Sequence, residues 1–326
     1  MNMVEIKLMG IAKKIEKIRT VKKNKILGSF LYGKLQQKEY SLKLKFMRKG
    51  KTQYVKDAIN AELGRRYLEK EYAWYLKTPK QKYSANEKLP KIVWWCWLQG
   101  LDKAPSMVKM CLSSIKKNFK DYQINIITWD NLNDYIDIPD YIVRKFKIGV
   151  IPYAQLSDII RILLLVKHGG VWIDSTVYCS NSDILSIIEE QDFFVYKNGL
   201  LGNDQDIKLS NWFIASKPNG LFVTEIKDLL LNYWANHDYL ENYFIFHLFF
   251  TLVSEKYPEE WKKIPAFNNV SPHMMARELN DKFSQKRYEQ LNSFSSMHKL
   301  NHHIEFNAQG DTLYRHLLDE NNIDLR

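Results

Sequence analysis

The segment from Ala154 to Thr176 constrains the fold more than any other part of this 326-residue chain. Its first part repeats large apolar residues at helical spacing, which predicts a helix over 154–168 with one face in the core. Gly169-Gly170 ends that helix, and Val171-Trp172-Ile173 predicts a short buried strand with packed side chains. A buried strand that directly follows a core-facing helix is typical of an α/β sheet flanked by helices.

The same alternation of strands and helices continues on both sides of this segment. Short β-branched and aromatic runs predict strands at 91–97, 122–129, 193–196 and 212–215. Helical periodicity predicts helices at 105–119, 221–234 and 243–256. These patterns together predict one α/β domain over residues 83–326.

Residues 1–82 differ from the rest of the chain in charge. They contain 22 of the 48 Lys and Arg and 7 of the 37 Asp and Glu, a net charge of +15, whereas residues 83–326 carry −4. We predict a basic, all-helical extension without strands. Apolar residues recur between lysines from Val4 to Ile18, which fits a helix lying on an anionic membrane surface. A nucleic-acid-binding arm and a solvated helix packed on the domain are the alternatives.

Cysteine usage and hydropathy indicate the compartment. Cys96, Cys111 and Cys179 are odd in number and widely spaced, so they predict neither a disulfide framework nor a zinc site. The charged N-terminus lacks the pattern of a secretory signal. The richest apolar run, 159–166, contains Arg161 and is far shorter than the roughly 20 residues of a membrane span. We therefore expect a cytoplasmic protein, attached peripherally to the inner face of the cell membrane through its basic extension.

Candidate functional residues cluster around the end of the predicted strand. Asp174 follows the strand at its carboxyl end, where open α/β sheets bind ligands. A carboxylate there can hold a divalent cation, which in turn neutralises a diphosphate. Gly170 allows close approach of backbone and substrate. Asp158 and Arg161 share one face of the preceding helix, and the alternative for them is a surface salt bridge of at most about 1 kcal/mol.

This pattern resembles the bacterial capsular polysaccharide synthesis proteins, which are related to glycosyltransferases with a DXD sugar-binding region. The resemblance is carried by Ala154, Ser157, Asp158, Arg161, Gly169, Gly170, Asp174 and Thr176 at fixed spacing. The opening strand 90–97 is also similar, and further likeness lies at 211–215, 243–247 and 298–300. The resemblance thus covers most of residues 85–305. The first 80 residues add nothing to it.

The resemblance implies a GT-A type fold with a Rossmann-type mixed sheet, a nucleotide-diphosphate sugar donor, expected to be UDP-linked, and Mn²⁺ or Mg²⁺ as cofactor. It implies that Asp158 and Arg161 contact the donor sugar or ribose and that Asp174 binds the metal or the donor. We expect Asp174 and Lys299 as catalytic residues and Asp174 as the metal ligand. The expected donor-binding residues are Trp95, Asp158, Arg161, Gly170, Asp174, Thr176, His247, His298 and Lys299. Thr176 stands where the commoner motif has a second aspartate, and a hydroxyl is a weaker ligand for a hard cation.

Three of the late residues have alternative interpretations. His247 lies among phenylalanines and could be a core histidine of an aromatic helix. Lys299, with its neighbour His298, could simply be exposed. In the functional interpretation, a late cation closes over the diphosphate and stabilises the charge that develops on the leaving oxygen. Tyr153 and Trp172 are expected to be packing residues and not ligands.

The expected function is transfer of a hexose or N-acetylhexosamine to a hydroxyl of a lipid-linked capsular or exopolysaccharide intermediate, with retention of configuration implied by the resemblance alone. Nucleic acid is not among the expected partners. One alternative is a non-catalytic nucleotide-sugar or glycan-binding protein of the same fold. Another is a nucleotidyl- or phosphotransferase that acts on sugar phosphates. The chain shows no nucleophile elbow, Walker loop, H-E-x-x-H or dinucleotide fingerprint.

Overall fold

The computed structural model describes residues 27–47, 53–81, 83, 88–198, 206–301, 306–307 and 310–324. The apolar repeat predicted at 4–18 lies outside these residues. The helices are α1 Leu27–Met47, α2 Gln53–Glu71, α3 Ala73–Lys77, α4 Ser106–Asn118, α5 Leu132–Tyr135, α6 Asp140–Lys147, α7 Tyr153–His168, α8 Asp183–Ile188, α9 Leu221–Asn236, α10 Ile245–Lys256, α11 Pro258–Lys263, α12 Met275–Glu278, α13 Gln285–Phe294 and α14 Leu313–Glu320. The strands are β1 Ile92–Cys96, β2 Gln123–Ile127, β3 Gly170–Ile173, β4 Val177–Cys179, β5 Phe193–Lys197, β6 Leu209–Ser216 and β7 Met297–Lys299.

Five strands form a mixed sheet in the order β2-β1-β3-β6-β5. Strands β1, β2 and β3 are parallel, and β6 runs antiparallel to both of its neighbours, β3 and β5. The predicted α/β class with a mixed sheet between helices is confirmed. The chain places β2 on one side of β1 and β3 on the other, so a crevice is expected beyond the carboxyl ends of β1 and β3.

The helix and the glycine pair of the 154–176 segment fold as their sequence indicates. Gly169 and Gly170 have φ angles of 65° and 94°, which glycine adopts without strain. A Cβ on Gly170 would lie 2.5 Å from the carbonyl oxygen of Ile92 on β1. The absence of a side chain at this position therefore lets the first residue of β3 pack closely against β1. Asp174, which follows β3, then lies at the crevice.

A second, two-stranded sheet consists of β4 and β7, which pair antiparallel with Val177 opposite Lys299. The backbone N–H of Leu300 also donates to the carbonyl oxygen of Thr176 at 2.9 Å. This ribbon brings a segment from near the end of the chain against the turn that follows β3. The sequence did not predict the ribbon, because three-residue strands carry too little periodic signal.

The two faces of the main sheet bury separate cores. Trp94 and Trp172 lie on the face that α7, α9 and α10 cover, with Trp94 donating its ring N–H to the carbonyl oxygen of Gly169 at 2.7 Å. Val93, Trp95 and Ile173 lie on the opposite face, against α4. The alternation follows from the two-residue period of a strand. Both faces are covered, so the sheet offers ligands its edges and not its faces.

The basic N-terminal region contributes to the first core. Leu68 at the end of α2 and Tyr72 are buried, and the Tyr72 ring meets that of Phe249 edge-on with centroids 4.9 Å apart. Tyr75 on α3 is buried in the same cluster. The main core therefore extends across the predicted boundary at residue 82. Among the described helices, none is both long enough and apolar enough to span a bilayer.

Candidate active site

Asp174 lies directly after β3, at the carboxyl edge of the sheet, and its backbone N–H donates to the carbonyl oxygen of Trp212 at 2.9 Å. Its Oδ1 accepts hydrogen bonds from Arg161 Nη2 at 2.9 Å and from Trp172 Nε1 at 2.8 Å. Its Oδ2 accepts from Lys299 Nζ at 2.9 Å. The carboxylate is thus held between two cations, and Trp172 both packs in the core and orients it.

Arg161 is the centre of a buried charged cluster. Its guanidinium pairs with Asp158 as well as with Asp174, and it lies 4.8 Å from the centroid of the Trp172 ring. Asn211 at the start of β6 donates to Asp158 Oδ1 at 2.8 Å. Asp158 and Arg161 are only 6% and 3% exposed, so the interpretation of the pair as a surface salt bridge is wrong. Buried charges persist only when they are paired in this way.

The two carboxyl groups that share this guanidinium differ in pKa. Burial alone would raise the pKa of Asp174, but the Lys299 ammonium and the Arg161 guanidinium outweigh it and hold that pKa below its ordinary value. For Asp158, burial prevails over Arg161 and raises the pKa to about 6. Asp174 is therefore ionised at neutral pH, whereas Asp158 titrates close to it. Such divergent pairs of acids are typical of functional sites.

Lys299, the last residue of β7, is the more accessible cation of the cluster. Its Nζ lies 2.9 Å from Asp174 Oδ2 and 2.8 Å from Thr176 Oγ1. Its side chain is 22% exposed, against 4% for Arg161. The structure therefore brings Asp158, Arg161, Asp174, Thr176 and Lys299 together, as the sequence predicted for one site, although a ligand role for each remains a prediction.

Thr176 and Lys299 line an open cleft of about 710 Å³. The described residues that complete its lining are His273, Ala276, Arg277, Leu279, Asn280, Leu300, Asn301 and Phe306. None of these lining residues is acidic. Burial lowers the pKa of His273, and the nearby charges of Lys299 and Arg277 lower it further against its hydrogen bond to the Asn269 carbonyl. The described lining residues thus include two cationic side chains, Lys299 and Arg277, and no acidic one, a lining that suits an anionic ligand.

Three residues of this region were missed by sequence reasoning. Asn211 lies in β6 and in the 211–215 run that the resemblance had singled out, but no role in the site was predicted for it. Arg277 and His273 lie in a region without periodic signal, around the short helix α12 and the turn before it. No sequence pattern connects them to Asp174.

The other predicted donor-binding residues occupy different environments. Trp95 and His298 are fully buried, Trp95 in the core and His298 beside Ser180, so the structure does not bring their side chains to the cleft. Burial lowers the pKa of His298 to about 3. Gly170 acts through its backbone geometry. None of these three residues lines the cleft that contains Lys299.

His247 on α10 lies between the two interpretations. Its ring meets those of Phe244 and Phe246 edge-on, as expected for an aromatic helix. Burial, with a further contribution from the Arg161 charge, lowers its pKa to about 4, so the imidazole is neutral at pH 7. Its buried Nδ1 has no hydrogen-bond partner within the described structure. A donor contact of His247 remains a prediction.

The arrangement does not match the expected Mn²⁺ or Mg²⁺ at Asp174. Both ions prefer several oxygen ligands, above all carboxylates. Each Asp174 oxygen already accepts from a cationic side chain, and Thr176 Oγ1 accepts from Lys299 as well. In the part of the chain that the structure describes, no group of three or more His, Cys, Asp or Glu side chains could hold a metal ion. A divalent cation bound at Asp174 would lie beside the permanent positive charges of Arg161 and Lys299.

Fold and side-chain contacts together define an α/β protein with a partly buried charged cluster at the carboxyl edge of a mixed sheet. The chain matches the family model of capsular polysaccharide synthesis proteins over residues 17–317, and it therefore belongs to that family. No curated protein matches its sequence significantly. Among solved structures, it is similar to the PaToxG glycosyltransferase, with 17% identity over 72% of this chain and 94% of that chain and a TM-score of 0.37. A likeness of that size says nothing by itself about activity.

Proposed function

We propose that the chain is a glycosyltransferase that moves a hexose or N-acetylhexosamine from a nucleotide-diphosphate sugar to a hydroxyl of a capsular or exopolysaccharide intermediate. The observation that carries this proposal is the pair of cations, Arg161 and Lys299, held on Asp174 at the carboxyl edge of the sheet beside a cationic cleft. Membership of the capsular polysaccharide synthesis family supports it. A diphosphate leaving group needs such a fixed positive environment.

The chemistry that these residues supply is electrostatic. The acceptor oxygen bonds to the anomeric carbon, the bond from that carbon to the phosphate oxygen breaks, and its electron pair stays on the nucleoside diphosphate. The acceptor proton ends on the leaving phosphate or in solvent. Lys299 stabilises the growing charge on the diphosphate, and Asp174 keeps Lys299 in place. Pre-positioned charges of this kind need no reorganisation during the reaction.

An exposed aromatic surface supports a glycan acceptor. Trp129 follows β2 and Tyr153 begins α7, so both lie at the carboxyl edge of the sheet. Their rings both pack on Phe146, with centroids 5.4 and 5.0 Å from it, while their outer faces remain exposed. The proposal includes a lipid-linked acceptor, a UDP-linked donor and retention of configuration, all three resting on the family resemblance.

A donor panel tests the proposal. Purified full-length chain is incubated with UDP-, GDP- and other nucleotide-linked hexoses and N-acetylhexosamines, and the products are separated by chromatography. We expect slow release of a nucleoside diphosphate from one donor class even without acceptor. Pyrophosphate or a nucleoside monophosphate as product would indicate a nucleotidyl- or phosphotransferase. Donor binding without turnover, also in the presence of acceptor extracts, would indicate a non-catalytic binding protein.

The proposal includes attachment to an anionic membrane that carries the lipid-linked acceptor, and the surface of α1 supports it. One face of α1 packs on the segment that follows α9. Gly33 adjoins the Tyr239 ring there, and Gln37 donates to the Leu240 carbonyl oxygen at 2.5 Å. The opposite face carries exposed large apolar side chains at helical spacing, namely Leu31, Leu35, Leu42 and Phe46. Exposed lysines flank this apolar stripe, at 34, 38 and 45. An apolar stripe beside lysines fits the headgroup region of an anionic bilayer.

We therefore expect the full-length chain to sediment with anionic phosphatidylglycerol vesicles at low salt. Reversing three charges through Lys34→Glu, Lys38→Glu and Lys45→Glu should weaken that binding at least about tenfold, since each lysine near an anionic surface contributes about 1 kcal/mol. The matched control reverses three exposed lysines on another surface, at 103, 116 and 120. Equal loss of binding in both triple variants, or no vesicle binding by the unmodified chain, would contradict a specific role for α1.

A further inference from the structure

The Lys299 ammonium occupies the position that a metal ion was expected to take. It bridges Asp174 Oδ2 and Thr176 Oγ1 at 2.9 and 2.8 Å, the two side chains at the ends of the Asp-x-Thr sequence. The remaining Asp174 oxygen is held by Arg161 and Trp172. A single positive group thus already satisfies the oxygens that a divalent ion would need.

The ribbon geometry explains how this lysine is held. Lys299 pairs with Val177 in the β4–β7 ribbon, and the backbone N–H of Leu300 donates to the carbonyl oxygen of Thr176. The backbone around Lys299 is therefore fixed against the segment that follows β3. The side chain therefore approaches Asp174 from a rigid strand and not from a loop. A cation on a rigid element keeps its position as charge develops in front of it.

The cleft beside Lys299 contains a second cation and, among the described lining residues, no carboxylate. Arg277 on α12 is exposed into solvent at this cleft, and its charge reaches His273 together with that of Lys299. A guanidinium and an ammonium in one cleft suit two adjacent phosphate groups. A divalent cation would instead be repelled by both groups.

The geometry points to a metal-independent diphosphate site, in which Lys299, held by Asp174 and Thr176, takes the place of a divalent ion and Arg277 provides a second phosphate contact. This inference rests on the proposed function for the identity of the natural ligand, but not for the chemistry of the cleft. It assigns Arg277 to the site and removes Mn²⁺ and Mg²⁺ from the reaction. The presence of Thr176 in place of a second aspartate fits this inference, because the Lys299 ammonium already pairs with the Asp174 carboxylate and needs only a neutral acceptor beside it.

Calorimetric titration of the full-length chain with UDP and with inorganic pyrophosphate, each in EDTA and in Mn²⁺, tests the inference. We expect affinities that agree within about twofold between the two conditions, because fixed cationic side chains and not a divalent ion hold the diphosphate. Lys299→Met and Arg277→Met should each weaken binding at least about tenfold in EDTA, and Lys299→Arg should retain most of it. The matched control is Lys217→Met, which removes a lysine paired with Asp192 at the opposite edge of the same sheet.

A metal-site variant provides the second arm. The double variant Thr176→Asp, Lys299→Ala removes the ammonium and adds a second carboxylate. We expect this variant to bind Mn²⁺ in the presence of UDP, unlike the unmodified chain. Electron paramagnetic resonance of Mn²⁺ measures the binding. Thermal unfolding of each variant checks that it is folded.

The outcomes separate the inference from the proposed function. Diphosphate binding that requires Mn²⁺, Mn²⁺ binding by the unmodified chain with UDP, or absence of binding of both probes would overturn the inference. Lys299-dependent pyrophosphate binding in EDTA, without turnover of any nucleotide sugar, would support the inference and contradict glycosyl transfer.

Discussion

Replacing Asp174 with asparagine should lower donor turnover at least about 100-fold while the protein remains folded. The amide keeps the size of the side chain but cannot pair with Arg161 and Lys299 at once, so Lys299 loses its fixed position. Misplacement or loss of one pre-positioned charge typically costs two to three orders of magnitude in rate. Steady-state release of nucleoside diphosphate from the donor identified by the panel measures the effect.

The matched control is Asp192→Asn. Asp192 also pairs with a lysine, Lys217, but it precedes β5 and lies at the amino edge of the sheet. This substitution should leave turnover within about twofold of the unmodified chain. Thermal unfolding should show Asp174→Asn folded, with a loss of about 2 kcal/mol at most for the weakened charged hydrogen bonds. Turnover at the unmodified rate by folded Asp174→Asn would remove Asp174 from the proposed mechanism.

Replacing Arg161 with methionine should have the largest effect on stability. The guanidinium is buried between two carboxylates, and its removal leaves Asp158 with Asn211 as its remaining described hydrogen-bond partner. Breaking a buried ion pair by removing one member costs about 3–5 kcal/mol, because the other charge stays desolvated. Urea unfolding followed by circular dichroism measures the change in the free energy of unfolding.

Two further variants separate the stability cost of the uncompensated Asp158 charge from the cost of lost packing. Adding Asp158→Asn to Arg161→Met removes the stranded carboxylate and should recover part of the loss. Arg315→Met, which breaks an exposed ion pair with Asp319, should cost no more than about 0.5 kcal/mol. A loss below about 1 kcal/mol for Arg161→Met would mean that the cluster contributes little to stability.

The loss of unfolding free energy caused by Arg161→Met should depend on pH in a defined direction. Burial already raises the pKa of Asp158 to about 6 with Arg161 present, and removing Arg161 should raise it further. A folded-state pKa above the unfolded value means that the folded protein binds more protons, so stability falls as pH rises through this range. The loss measured at pH 8 should therefore exceed the loss at pH 5.

Local patterns along the chain were sufficient to predict most secondary structure between residues 91 and 256. The helix α7, the glycine pair and β3 were predicted within one residue of their observed bounds, because a core-facing helix and a buried strand each carry a strong periodic signal. The position of Asp174 at the carboxyl edge followed from the same reasoning. The short helices α5, α6 and α8, the short strands β4 and β7 and the helices from α11 onward were not predicted, since their signals are weak or irregular.

The sequence by itself determined the longer helices and strands, the α/β class and the acid at the end of β3, since these depend on residues close together in the chain. Only the tertiary structure decided which charges meet: Lys299 reaches Asp174 across 125 positions of sequence, and Arg277 joins the same cleft. It also decided that Asp158 and Arg161 are buried and that Trp95 belongs to the core. The physical reason is that periodicity reports which face of an element avoids water, whereas ion pairing and cleft formation depend on long-range packing between elements.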